Sequence, residues 1–78
     1  MRFDSRRIDQ NGFYKEEIWR TDVERPEGTT PQAIAYIISN DKAGNACRFY
    51  GYYGIHTVSG PTVSAVKQEL FDLIEAGH

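Results

Sequence analysis

The segment QAIAYIIS, Gln32 to Ser39, carries the clearest β-strand signal in the chain. β-Branched and aromatic residues favour strands, and a strand that is apolar on both faces is typical of the middle of a sheet. Because side chains alternate along a strand, the segment sorts into two sets: Ile34, Tyr36 and Ile38 on one face, and Ala33, Ala35 and Ile37 on the other. We predict a central strand here and assign the first set to the core.

The chain after this strand is predicted to turn and return as an antiparallel partner. Asn40 to Asn45 is rich in asparagine, aspartate and glycine, which favour loops. The returning strand is predicted over Ala46 to Ile55, and pairing Ser39 with Ala46 sets its register. On the predicted core face, against Ile38, Tyr36 and Ile34, this register places Cys47, Phe49, Gly51, Tyr53 and Ile55. On the outward face, beside Ala33, Ala35 and Ile37, it places Arg48, Tyr50, Tyr52 and His56.

The N-terminal part of the chain is predicted to form a second hairpin. Its turn is the Asn11-Gly12 pair, since these residues readily adopt positive φ angles. We predict a short strand from Arg2 to Ile8 and a longer one from Phe13 to Val23, which fits a strand better than a helix. Residues 24–32 hold two prolines and a glycine and are predicted to form a loop.

The C-terminal segment has the pattern of an amphipathic helix. Its start signal offers Gly60 or Thr62 as the N-cap, and Gly77 is its stop signal. An apolar stripe with Phe71 at its edge follows the helical period: Val63, Val66, Leu70, Leu73 and Ile74. The predicted fold class is α+β, with one domain over residues 1–78. A four-stranded antiparallel sheet, or a three-stranded one if residues 13–23 are helical, has this helix packed on one face and the other face open.

Composition and charge narrow the function. The 78 residues are 40% apolar and 26% charged, with a net charge of −2. Because the composition shows no dominant basic surface of the kind that a duplex binder needs, it disfavours nucleic acid as the partner. Cys47 is the single cysteine, which argues for a reducing compartment. The N-terminus has no apolar signal stretch, and the longest uncharged run, Phe49 to Val66, is broken by glycines and a proline. We expect a cytoplasmic protein with no membrane contact.

Two surface features are candidate partner-binding sites. Arg48, Tyr50 and Tyr52 share the outward face of the returning strand, and tyrosine and arginine are enriched in binding hot spots because they bury much area and also hydrogen bond. The alternative is that the N-terminal segment covers this face. The second candidate is the acidic side of the helix, which either fits a basic groove on a partner or is simply solvated: Glu69, Asp72 and Glu75.

Catalytic and metal chemistry find little support in the sequence. The conventional nucleophile and base, Cys47 and His56, are predicted to point to opposite faces of the sheet. Cys47, His56 and His78 lack the close ligand pairs of structural zinc sites, and the glycines form no phosphate-binding pattern. We therefore predict no enzyme activity, no metal and no cofactor.

These features favour a non-enzymatic module that binds another protein. Small acidic α+β proteins of this kind are typical of phages and mobile elements, where they inhibit host enzymes or CRISPR complexes, as anti-CRISPR proteins do. One alternative is a nucleic-acid-binding sheet module, since a three-stranded sheet with a C-terminal helix is similar, in fold alone, to the arm-binding domains of phage integrases. The other is a small accessory protein that forms a homodimer through its aromatic sheet face.

Overall fold

The computed structural model describes residues 3–22, 26–29 and 32–77. The predicted strand ends at Arg2 and Val23, part of the predicted loop over residues 24–32, and His78 lie outside the described residues. The elements are β1 (Phe3–Arg7), β2 (Phe13–Arg20), β3 (Ala35–Lys42), a 3₁₀ turn (Ala43–Asn45), β4 (Phe49–Tyr53), β5 (His56–Gly60) and α1 (Val63–Glu75). The fold class is therefore α+β, as the sequence predicts.

The five strands form one antiparallel sheet in the order β1-β2-β3-β4-β5. Each strand pairs with its neighbours in the chain, so β3 is the central strand that the segment around Gln32 to Ser39 predicts. The predicted strand count of four is wrong by one. In the part of the chain that the structure describes, no helix is long and apolar enough to cross a membrane.

The additional strand arises where the predicted returning strand turns back on itself. Gly54 has a φ angle of 59°, a left-handed conformation that glycine adopts without steric cost. Tyr53 therefore pairs with His56 across a two-residue turn. Ile55 sits in this turn with 96% of its surface exposed, so its predicted place in the core is wrong.

The register between β3 and β4 also differs from the prediction. Ser39 pairs with Phe49, three positions beyond the predicted partner Ala46, and Ile37 pairs with Gly51. An odd shift moves every side chain to the opposite face. The core face of β3 is consequently the set Ala35, Ile37 and Ser39, and the predicted core set Ile34, Tyr36 and Ile38 is wrong.

The side chain of Asn40 explains this register. Its Oδ1 atom accepts hydrogen bonds from the backbone N–H groups of Cys47, at 3.3 Å, and Arg48, at 3.2 Å. The backbone N–H of Asn40 donates in turn to the Arg48 carbonyl at 3.0 Å. These contacts hold residues 46–48 as a loop beside the end of β3, so regular pairing of β4 begins only at Phe49. The predicted loop over Asn40 to Asn45 is thus partly strand, since β3 continues to Lys42.

Helix α1 packs on one face of the sheet, across β3, β4 and β5. The buried core joins sheet and helix: Ile18, Ala35, Ile37, Val66, Leu70 and Ile74. Gly51 lies where the helix comes closest, because a Cβ atom at this position would stand 2.7 Å from side-chain carbons of Val66 and Leu70. Only a residue without a side chain permits this approach.

The ends of α1 agree with the sequence signals. The Thr62 side chain caps the helix by accepting a hydrogen bond from the Ala65 N–H at 3.2 Å, and Gly77 follows the helix with a φ angle of 82°. Phe71, at the edge of the apolar stripe, stacks on Phe3 of β1 with ring centroids 4.8 Å apart. The helix therefore also contacts the first strand of the sheet.

The turn between β1 and β2 is the one the Asn11-Gly12 pair predicts. Asn11 and Gly12 have φ angles of 55° and 86°, and β2 is a strand over Phe13–Arg20, which excludes the helical alternative for that range. Because Ile18 and Glu16 of β2 are buried on the helix side, the alternation of the strand places Lys15, Glu17 and Trp19 on the other side.

Candidate functional site

The sheet face opposite α1 is open and aromatic. No helix or strand among residues 3–22, 26–29 and 32–77 lies over it. Register brings Tyr36 opposite Tyr52, and Ile38 opposite Tyr50, so the side chains of each pair are direct neighbours. We call this surface the aromatic face; it consists of Trp19, Tyr36, Ile38, Tyr50 and Tyr52.

Exposure distinguishes this surface from ordinary packing. Tyr36 and Tyr52 keep 38% and 39% of their surfaces exposed. The alternative that the N-terminal segment covers this face does not occur among the described residues, since β1 and β2 extend the sheet sideways. A pocket of about 260 Å³ opens at one end of the face, next to Lys15 and Ile38.

Charged groups of both signs surround the aromatic face. The Lys15 ammonium lies 5.2 Å from the centre of the Tyr36 ring, a cation–π contact. Arg48 donates from Nη2 to the Ser59 hydroxyl at 2.9 Å, which fixes the guanidinium beside Tyr50. On the β1 side, Arg6 pairs with Glu17 across the strands. The face therefore offers aromatic area within a border of mixed charge.

The predicted partner-binding residues of β4 lie on this face. Arg48, Tyr50 and Tyr52 share one side of the sheet, as their alternation predicts. Their predicted neighbours Ala33, Ala35 and Ile37 are wrong, since the register error placed β3 with the opposite face outward. The residues that the prediction missed are Tyr36, Ile38 and Trp19, and the correct register of β3 would have identified the first two.

The acidic side of α1 is exposed to solvent along its length, at Glu69, Asp72 and Glu75. Asp72 accepts a hydrogen bond from the Gln68 amide at 3.0 Å. Glu69 and Asp72 also line a groove of about 310 Å³ together with Val58, Leu73 and Ala76, whereas Glu75 does not. The helix thus brings two of its three predicted acidic residues to an apolar groove beside β5.

A polar cluster around the buried Glu16 lies between the sheet and α1. Glu16 on β2 is 5% exposed, and its carboxylate accepts a hydrogen bond from the Tyr14 hydroxyl and pairs with the Lys67 ammonium. The Glu16 Oε2 atom faces the Lys67 ammonium directly. Lys67 also donates to the Ser5 hydroxyl at 3.2 Å, so the cluster joins β1, β2 and the helix.

The electrostatics of this cluster favour an ionised glutamate. Burial on its own would raise the pKa of Glu16, but hydrogen bonds from Lys67, Ser5 and Tyr14 outweigh burial and hold that pKa below its usual value. Burial and the hydrogen bond to Glu16 raise the pKa of the Tyr14 hydroxyl. The charged glutamate forms an ion pair with Lys67 and accepts a hydrogen bond from the protonated Tyr14, and neither Glu16 nor Tyr14 is poised for proton transfer near neutral pH.

The candidate nucleophile and base are far apart. Cys47 is exposed in the loop before β4, so its predicted inward position is wrong. His56 begins β5 and stacks near Tyr53 with ring centroids 6.5 Å apart, so its predicted outward position is also wrong. The two residues flank opposite ends of β4. Within residues 3–22, 26–29 and 32–77, no group of three or more histidines, cysteines or acidic residues is arranged to hold a metal ion.

Comparison with known proteins identifies no relative. No protein-family model, no curated protein and no solved structure matches the chain.

Proposed function

We propose that this chain is a non-enzymatic module that binds another protein through its aromatic face. The observation that carries the proposal is the cross-strand pair of Tyr36 and Tyr52, which stays more than one-third exposed on a face that no described element covers. Tyrosine and tryptophan bury large rigid surfaces with little loss of side-chain freedom and also hydrogen bond, which is why they dominate binding hot spots.

The charge around the face supports a protein partner over a nucleic acid. Binding to nucleic acid gains most of its free energy from cations that neutralise phosphates. On this face Arg6 stands opposite Glu17, and Asp4 stands opposite Trp19, so acidic groups offset the basic ones. A border of both signs complements a protein surface, which also carries both. Within this class, inhibition of a host complex by a small phage or mobile-element protein is the specific role that we propose.

Site-specific crosslinking in cells of the source organism tests the proposal. Tyr52 is replaced by the photoreactive residue p-benzoylphenylalanine, and a matched protein carries the same residue at Gln68 on the exposed side of α1. We expect light to produce a discrete crosslinked protein at position 52 and not at position 68. Adding Tyr36→Ser should weaken that product, because it removes the neighbouring ring.

Other outcomes overturn the proposal and identify an alternative. A product with twice the mass of the chain would indicate a homodimer, and light scattering on the purified protein would confirm it. A product that nuclease treatment removes would indicate stacking on single-stranded nucleic acid. Equal crosslinking at positions 52 and 68, or none at position 52, would show that the aromatic face is not a binding site.

A further inference from the structure

The two outer strands of the sheet differ in chemistry. β1 carries Asp4, Arg6 and Arg7, and charged side chains on an edge strand hinder pairing with another strand. β5, with the sequence HTVSG, has no aspartate, glutamate, lysine or arginine. Among residues 3–22, 26–29 and 32–77, no strand pairs with the outer side of β5. The β5 edge is therefore the one at which strand addition meets no charged side chain of the edge strand.

A groove runs beside this edge on the helix side of the sheet. Val58 of β5 pairs with Gly51, over which α1 packs. Val58 forms the groove together with Leu73, Ala76, Glu69 and Asp72 of the helix, and the groove volume is about 310 Å³. Because side chains alternate along a strand, a sixth strand beside β5 would project every second side chain into this groove.

We propose that the β5 edge and this groove form a strand-addition site for an extended segment of another protein. In this segment, polar residues alternate with valine-like and arginine-like residues. Backbone hydrogen bonds to β5 would provide affinity, and the groove would select the side chains. Val58 and Leu73 suit an apolar side chain or the aliphatic stem of an arginine. Glu69 and Asp72 are positioned to accept hydrogen bonds from its guanidinium group.

Charge argues against a second copy of this chain as the occupant. Two-fold pairing of β5 with β5 would bring two α1 helices side by side, with Glu69 and Asp72 of each copy facing those of the other. Like charges placed together at an interface oppose association. A basic segment of a different protein complements the same carboxylates.

The probe is the capped peptide Thr-Val-Thr-Arg-Thr-Val-Thr, titrated into the whole chain and followed by the backbone amide signals in NMR. Its palindromic sequence presents the same side chains in parallel and antiparallel orientations. We expect the largest saturable shifts in β5 and in residues 69–76. Control peptides carry glutamate in place of arginine, or proline at alternate positions to remove backbone donors, and neither should bind.

A matched pair of variants separates groove recognition from general attraction. Asp72→Lys and Glu75→Lys reverse the same charge on the same exposed side of α1, but only Asp72 lines the groove. At about 0.15 M salt, which weakens long-range attraction, Asp72→Lys should weaken peptide binding at least tenfold, because Asp72 lines the groove. Glu75→Lys should change it less than threefold. Circular dichroism verifies that both variants are folded.

Three results overturn the proposal: no saturable shifts in β5, shifts centred on β1 or the aromatic face, or equal losses in the two variants. The experiment is independent of the proposed partner of the aromatic face. A Tyr36→Ser, Tyr52→Ser variant should bind the peptide as the wild type does, so failure at one surface is distinguishable from failure at the other.

Discussion

The two faces of the sheet are formed by the same strands but differ in burial. On the covered face, Ile37 and Gly51 lie under α1 and are buried. The buried Glu16 on the same face pairs with Lys67, whose side chain is 29% exposed. On the open face, one residue away along each strand, Tyr36 and Tyr52 keep more than a third of their surfaces in solvent. Burial under the helix stabilises the fold, whereas the proposed binding residues lie on the face that stays exposed.

The largest expected loss of stability comes from a substitution on the covered face. Leu70→Ala removes a fully buried side chain that packs over Gly51, and it should lower the free energy of unfolding by about 2–5 kcal/mol, because the sheet and helix cannot close the cavity. Urea unfolding followed by circular dichroism measures the loss.

The matched variant for Leu70→Ala lies on the open face. Ile38→Ala removes an aliphatic side chain of comparable size that is only partly buried, and it should cost less than half as much. Equal losses for the two variants would mean that the open face is a second core, and the contrast between the faces would be wrong.

The next effect tests the charged part of the covered face. Lys67→Met removes the ion-pair partner of buried Glu16 and should lower the free energy of unfolding by about 1–3 kcal/mol at pH 7, because a buried carboxylate loses its compensating charge. Arg20→Met, which breaks the exposed pair with Asp22, should lower the free energy of unfolding by clearly less than Lys67→Met does, because solvent screens an exposed pair. A Lys67→Met protein as stable as the wild type would show that Glu16 gains nothing from this lysine.

A smaller effect appears on the acid side of the stability curve. The folded state holds the pKa of Glu16 below its value of 4.5 in the unfolded chain, chiefly because hydrogen bonds from Lys67, Ser5 and Tyr14 outweigh burial. The stabilisation is therefore complete above about pH 4.5 and is lost as pH falls through the folded-state pKa. Glu16→Gln removes this contribution.

The measurement is the urea midpoint between about pH 7 and pH 3, where carboxylates titrate. Wild type should lose more stability over this range than Glu16→Gln does. Asp9 and Asp22, whose pKa values are lowered by hydrogen bonds from arginines, titrate in both proteins, so the difference isolates Glu16. Parallel curves would indicate that Glu16 does not change its pKa on folding.

The smallest expected change in stability comes from a substitution on the open face. Tyr36→Ser with Tyr52→Ser should change the free energy of unfolding by less than about 1 kcal/mol, since neither ring contributes to the buried core. The same variant should lose the partner that crosslinks at position 52. Thermal unfolding measures the stability, and the crosslinking assay measures partner binding. A large loss of stability would show that these tyrosines contribute to folding and would contradict the contrast between the two faces.

The sequence allowed local features to be predicted and failed where distant contacts decide. The Thr62 cap, the Asn11-Gly12 turn and the helix stop at Gly77 follow from conformational preferences of a few adjacent residues. The strand identity of β3 follows from its β-branched and aromatic residues, which are apolar on both faces, and the shared face of Tyr50 and Tyr52 follows from alternation. From these features the fold class and two of the five residues of the aromatic face, Tyr50 and Tyr52, could be predicted.

The remaining features depend on geometry that no local pattern encodes. The register of β3 and β4 is set by the Asn40 side chain holding Cys47 and Arg48, and an error there reversed the face of one strand. β5 has little apolar alternation, so the sequence pattern did not distinguish it from the segment that leads into the helix. The Glu16 and Lys67 pair joins residues far apart in sequence, and each alone resembles an ordinary surface charge.

The order of the strands also has a kinetic consequence. Because every strand pairs with its neighbour in the chain, the sheet should assemble one hairpin at a time. The longest connection to close is the one from Arg20 at the end of β2 to Ala35 at the start of β3. The hydrogen bond between Ser5 and Lys67 spans 62 residues, so it joins the two ends of the chain only after the hairpins between them exist. Docking of the helix onto the first strand is therefore the step we expect to complete folding, and its contacts should slow unfolding more than they accelerate folding.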